Sequence, residues 1–198
     1  MAEVKILVQG YAKSSKEYEL ASSSSVLIKE GSLNIVIDPG MNKVLLLKAL
    51  KKENLSPEKI DYIILTHTHL DHSMLTGMFN KALVLDDTSI YSFDGKNSSH
   101  EGKVPGTSIK IIKTPGHDPF HCSVLIRTKK YGTIAIAGDV FWWPDSDENK
   151  VKKDPKFLIA LKDPYMKDKK QLIESRKKIL KIADWIIPGH GKIFKVEK

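Results

Sequence analysis

His67, His69, Asp71 and His72 put four side chains of metal-ligand type into six consecutive positions, His67-Thr68-His69-Leu70-Asp71-His72. The chain has seven histidines in all, and three of them fall here, directly after the apolar run DYIIL at 61–65. Alternate residues of an extended segment point the same way, so His67 and His69 can reach one metal ion together. Once the chain curls, Asp71 and His72 can serve a neighbouring position. Imidazole and carboxylate suit Zn²⁺, Mn²⁺ or Fe²⁺. The competing reading is a solvated polar loop.

Three further residues weaken that competing reading. His117 lies in Thr114-Pro115-Gly116-His117, a turn before an expected strand, and His190 in Pro188-Gly189-His190-Gly191, a turn after one. Asp139 ends the apolar run TIAIAG, as His67 follows DYIIL. Strand ends are places where side chains from distant parts of a chain can converge on one rim of a sheet.

The order HTHLDH, TPGH, AGD and PGHG resembles the ligand pattern of the metallo-β-lactamase-fold hydrolases, over nearly the whole chain. Within that family the chain looks like the small single-domain group of metallo-β-lactamase domain-containing protein 1 and its prokaryotic relatives. The resemblance implies an α/β fold, a four-layer αβ/βα sandwich in which two mixed β-sheets are flanked by helices, with the metal site at one edge. It implies one domain over residues 1–198. By carry-over, His67, His69 and His117 bind a first metal, Asp71, His72 and His190 a second, and Asp139 bridges both. Asp38 in Val36-Ile37-Asp38-Pro39-Gly40 matches the family's acidic turn beside the site. The implied cofactors are two divalent ions, zinc first, with iron or manganese as alternatives.

The chemistry so implied is hydrolysis. A hydroxide bridging the metals attacks an ester, thioester or lactone carbonyl, with Asp71 and Asp139 as catalytic residues. The alternative is a metal-dependent phosphodiesterase or ribonuclease, since some of the small single-domain group are assigned to RNA cleavage. Family members that reduce oxygen at a di-iron site carry Glu where His69 stands. The His favours hydrolysis, while mononuclear-iron sulfur dioxygenases keep the same histidines. A non-catalytic metal-binding module is the remaining reading, and the intact ligand set argues against it.

Residues near these motifs each have two readings. Phe141, Trp142, Trp143 and Pro144 form either an aromatic wall over the metals or a core patch, and the polar stretch 141–167 is either a lid or a cover for a dimer partner. Asp118, Phe120 and His121 are candidates for the pocket lining, His121 as a support rather than a ligand. Cys122 reads as a buried free thiol, His100 as an exposed loop residue and Tyr165 as a surface tyrosine beside a helix start.

The elements that must position these residues follow from periodicity. Short β-branched runs at 4–8, 26–29, 34–37, 61–65, 82–85, 109–112, 122–126, 133–137 and 185–187 read as strands. Residues 41–53 read as an amphipathic helix with Met41, Val44, Leu45 and Leu47 on its apolar side. Residues 168–183 form a second helix, with Leu172, Ile173, Ile179, Leu180 and Ala183 on one face. The serines at 22–25 read as a short low-complexity run of no consequence.

With 41% hydrophobic and 28% charged residues the chain is ordinary for a globular protein. No apolar run approaches the ~20 residues of a membrane helix. MAEVKILVQG has no charged-then-apolar leader and Cys122 is the only cysteine, so a cytoplasmic protein is expected. The net charge of +8 comes from 32 basic residues of which only Arg127 and Arg176 are arginine. Nucleic-acid binding sites favour arginine's planar fork, so the lysines read as solvated surface, with nucleic acid kept as a possible partner, a small molecule preferred and a homodimer open.

Overall fold

The structure, a computed structural model, describes residues 2–197. Strands β1 (Glu3–Val8), β4 (Ser25–Glu30), β5 (Leu33–Ile37), β6 (Tyr62–Ile64), β7 (Leu83–Leu85), β8 (Ser89–Tyr91) and β9 (Asn97–Ser99) make one sheet. They pair in that order, parallel at β5–β6 and β6–β7 and antiparallel elsewhere. Strands β10 (Lys110–Lys113), β11 (Cys122–Thr128), β12 (Gly132–Trp142), β13 (Trp185–His190) and β14 (Phe194–Lys195) make the second, parallel only at β12–β13. A separate hairpin pairs β2 (Tyr11–Ser14) with β3 (Glu19–Ser22).

Alternation along the strands sorts their side chains between two layers. Val26, Ile28, Ile35, Ile37 and Ile64 of the first sheet pack against Ile111, Val124, Ile126, Ile134, Ile136 and Ile187 of the second. The intervening residues face outward. Leu27, Val36 and Ile63 meet Leu46 and Leu50 of helix α1 (Lys43–Lys52). Ala135, Ala137 and Ile186 meet Leu158 of α3 (Pro155–Ile159) and Ile179 and Leu180 of α4 (Lys169–Ile182). The result is the expected helix–sheet–sheet–helix stack. The short helix α2 (Leu70–Ser73) carries part of the HTHLDH stretch.

Both long helices start on an Asx cap: Asn42 accepts from the Leu45 N–H (3.1 Å) and Asp168 from the Gln171 N–H (3.0 Å). The face of α1 differs from expectation. Leu46 and Leu50, one turn apart, are its buried residues, while Val44, Leu45 and Met41 are exposed. Val44, Leu45, Leu46 and Leu47 are four apolar residues in a row, so more than one stripe can be drawn, and the packing partner decides between them. In α4 the buried face includes Arg176, which periodicity passed over.

The serines at 22–25 are consequential. All four are buried where the two sheets meet. The Ser24 hydroxyl accepts from the Gly10 N–H (3.0 Å), and the Ser25 hydroxyl donates to the Asp38 carbonyl (2.6 Å). The Ser24 N–H donates to the Gly189 carbonyl (2.7 Å), a backbone link from the first sheet to the second. Small side chains that bring their own polar group suit so close an approach.

Candidate metal centre

One edge of the stack collects the carboxyl ends of the parallel strands. Asp38 follows β5, His67 follows β6, Asp139 lies near the end of β12 and His190 ends β13. Strand β10 runs parallel to β12 through two antiparallel pairings, so the loop after it delivers His117 to the same edge. The Cys122 N–H donates to the Thr66 carbonyl (2.8 Å) and fixes the two sheets to each other there.

All seven sequence-named ligand candidates meet at this edge, in two groups of closely spaced donor atoms: His67, His69, His117 and Asp139, and Asp71, His72 and His190. His69 Nδ1 lies 3.0 Å from His67 Nε2 and 3.2 Å from His117 Nε2. In the second group Asp71 Oδ2 lies 3.0 Å from His190 Nε2 and 3.7 Å from His72 Nε2. Asp139 stands between the groups. Its Oδ2 is 3.4 Å from His117 Nε2, and its Oδ1 is 3.2 Å from His72 Nε2 and 3.7 Å from His190 Nε2.

The outer nitrogens of four histidines are committed elsewhere. His72 Nδ1 donates to Asp38 Oδ2 (2.8 Å), His117 Nδ1 to Asp163 Oδ2 (2.7 Å) and His190 Nδ1 to the Tyr11 carbonyl (3.0 Å). The Thr66 hydroxyl spends its proton on Asp38 Oδ2 (2.7 Å), so His67 Nδ1 donates to it (3.1 Å). Each of these rings therefore turns a lone pair on Nε2 inward, the tautomer a metal requires. His72 Nε2 and Asp139 Oδ1 are buried and form no hydrogen bond. A buried carboxylate oxygen and imidazole nitrogen left this way are costly unless a cation sits between them. The donor set fits two divalent ions.

The buried charges of the cluster act strongly on one another. Burial pushes the Asp139 carboxyl up, but the His72 and His190 rings outweigh it and hold it well below the usual range. Burial pushes His72 down, yet Asp139 and Asp38 on either side raise it well above an ordinary imidazole. Burial, then the neighbouring His72, hold His67 well below its ordinary value. Gly189 leaves the room: a Cβ there would lie 1.8 Å from Asp139 Oδ1.

Around this centre is a cleft of about 540 Å³. Leu20, Met41, Leu70, Trp142, Pro144 and Tyr165 supply apolar wall, and the β2–β3 hairpin forms one side. The aromatic run divides. Trp142 lines the cleft, 6.0 Å from the His190 ring and 5.6 Å from Tyr165. Phe141 and Trp143 are buried in the core beneath α3 and α4. Tyr165 is therefore part of the site. Asp118 and Phe120 are not among the cleft's lining residues, and Phe120 points to solvent. His121 is a support: its Nε2 accepts from the Asp139 N–H (3.2 Å), and burial, with His117 nearby, holds it down to about 3. His100 braces a loop, partly buried, with Nε2 on the Asp86 carbonyl (3.0 Å). Residues 141–167 begin as the end of β12 and then wrap α4, touching the cleft only near their ends. Sequence reasoning missed the hairpin, Thr66 and Asp163. A lone Asp in a Lys-Asp-Pro turn gives no signal of facing a histidine 46 positions away.

The comparisons with known proteins agree with this geometry. The metallo-beta-lactamase superfamily model matches residues 19–85. A probable metallo-hydrolase of Methanocaldococcus jannaschii is 31% identical over 83% of this chain and 74% of its own length. Metallo-beta-lactamase domain-containing protein 1 of Xenopus laevis is 29% identical over 98% of this chain and 82% of its own. The chain spans only 56%, 63% and 59% of the mouse, rat and human proteins of that name. Among solved structures, the dizinc quorum-quenching lactonase AidC shares the fold, with a TM-score of 0.67 at 17% identity over 91% of this chain and 77% of that one. The chain belongs to the metallo-β-lactamase superfamily, as a metal-dependent hydrolase. Among the described residues no helix is long and apolar enough to cross a membrane.

Proposed function

We propose that this chain is a dinuclear zinc hydrolase that opens a small ester, thioester or lactone at its carbonyl. The observation that carries this reading is the division of Asp139, one oxygen toward each group of histidines, beside a cleft with apolar walls. His67, His69, His117 and Asp139 would hold one ion, and Asp71, His72, His190 and Asp139 the other. When bound, such ions lower the pKa of water and draw charge from a carbonyl oxygen.

The chain's own residues supply the rest. Asp139 and Asp71 oppose the positive charge of the centre. Asp71 lines the cleft, where its carboxylate can accept a hydrogen bond from a water and hold that proton. Trp142, Tyr165, Leu70 and Leu20 exclude bulk water from the reacting group and give an acyl portion its contact surface. Lys13 is the one lysine or arginine among the described lining residues, and it pairs with Asp145 (3.4 Å). So little positive charge favours a neutral acyl substrate over a polyanionic strand, whose binding rests on phosphate contacts. The fold shared with a dizinc lactonase supports the same choice.

The test is elemental analysis of protein purified without added metal, with turnover of an acyl lactone, a thioester and bis-p-nitrophenyl phosphate on the same sample. Two zinc ions per chain with acyl turnover is the expected result. Two ions with phosphodiester turnover alone replaces the proposal with a phosphodiesterase, and one iron without hydrolysis overturns it.

A further inference from the structure

Arg176 is a buried arginine whose guanidinium bonds three backbone carbonyls through Nε and Nη1, with Nη2 buried and unpartnered. Thirty of the 32 basic residues are lysine, yet the middle of the buried face of α4 carries a guanidinium that is 2% exposed. Its Nε donates to the Val140 carbonyl (2.9 Å), and Nη1 donates to those of Leu161 (2.7 Å) and Ile159 (3.2 Å). A lysine ammonium is a point donor and cannot span these acceptors from one fixed plane. Burial lowers this group to about 10, with Asp163 opposing, so it remains a cation at neutral pH.

The three carbonyls belong to two segments that end at the metal centre. Val140 directly follows Asp139. Ile159 and Leu161 lead to Asp163, whose buried carboxylate accepts from His117 Nδ1 (2.7 Å) through one oxygen and from the Tyr165 N–H (3.0 Å) through the other. A carboxylate behind a ligating histidine fixes its tautomer and ring plane and strengthens the ligand.

We propose that Asp163 is the positioning residue for His117, and that Arg176 holds Asp163 in register with Asp139 by pinning residues 159–161 to the end of β12. Neither residue touches substrate; both act through His117 and Asp139. Arg176 thereby couples the strap around α4 to the spacing of the metal ligands. This inference rests on the proposed dinuclear centre.

The test is Co²⁺ titration of chelator-stripped protein, followed by calorimetry and by the visible d–d spectrum, for wild type, Asp163→Asn, Arg176→Lys and the control Leu158→Ala. Leu158→Ala removes core packing beside Arg176 while leaving the three guanidinium hydrogen bonds that set the register of residues 159–161 in place. Wild type takes up two ions. Asp163→Asn weakens one of the two sites by about 10–100-fold and alters its spectrum, leaving the other in place. Arg176→Lys weakens the same site, and adding it to Asp163→Asn costs less than the sum of the two, because both act through one contact. Leu158→Ala lowers thermal stability without changing either affinity. Unchanged cobalt affinities and spectrum in Asp163→Asn overturn the inference. So does an Arg176→Lys protein that loses stability but binds both ions as wild type does. If Arg176→Lys does not fold, Arg176→Cys labelled in urea with a thiol-reactive guanidine, in a Cys122→Ala background so that only the new thiol reacts, and then refolded decides its part: recovered binding at the weakened site supports the role, and recovered folding without it refutes it. A wild-type protein that takes up no cobalt refutes the dinuclear reading itself, a separate outcome.

Discussion

Replacing Asp38 by Asn should cost the metal-free protein about 2.5–6 kcal/mol, which follows from the bonds its carboxylate receives. Oδ1 accepts from the Thr66 N–H (2.8 Å), and Oδ2 accepts from the Thr66 hydroxyl (2.7 Å) and His72 Nδ1 (2.8 Å). The residue is buried with φ +47°, a conformation Asn tolerates. The backbone turn is held independently, by the Ser25 hydroxyl on the Asp38 carbonyl and by the Asp38 N–H on the Ile64 carbonyl (2.9 Å). The substitution therefore isolates the carboxylate. Asn keeps one acceptor oxygen and presents an amide NH₂ in place of the other. If the NH₂ faces the Thr66 N–H, two donors meet. If it faces Oδ2's partners, His72 must surrender its outward proton or lose its bond. Either way one hydrogen bond to a charged group is lost, about 1.5–3 kcal/mol, and one buried donor is stranded, about 1–3 kcal/mol more. Urea unfolding of chelator-treated protein reads the loss directly. Zinc titration should show the Asp71–His72–His190 site weakened more than the other. A loss under about 1 kcal/mol with both sites unchanged would refute the claim that Asp38 sets the orientation of His72.

Other substitutions separate the fold from the site. Gly116→Ala forces a Cβ to 2.2 Å from the Leu172 amide nitrogen at φ +134°, so urea unfolding should show a loss of about 2–5 kcal/mol, with His117 drawn out of position and metal content reduced. Trp143→Ala should lower stability by about 3–5 kcal/mol while metal content per folded chain stays at the wild-type level. Trp142→Ala should do the reverse, leaving the melting temperature nearly unchanged and lowering kcat/KM for long-chain acyl substrates by about 10–100-fold. Cys122 is fully buried and its thiol is pushed well above the ordinary range by burial, then by Asp38. It should resist a thiol reagent at pH 8 in the native protein and react at once in urea.

Much of the site was legible because its chemistry is concentrated in short motifs. The sequence alone named His67, His69, Asp71, His72, His117, Asp139 and His190, and a resemblance carried by four such motifs implied the layered sandwich. Short β-branched runs marked most of the strands of the two main sheets, though not which of their faces lies between the sheets. What only the tertiary structure decided lies one shell outward and one layer up. Asp163 and His117 are 46 positions apart, and only the wrap of residues 141–167 around α4 makes them neighbours. Trp142 and Trp143 are chemically identical and adjacent, so no composition rule separates them. The pleat sends one ring into the cleft and the other into the core. The β2–β3 hairpin, Tyr165 and the buried serines have no local periodicity to announce them. Their positions are set by where two sheets close on each other, a long-range packing outcome that no window of sequence contains.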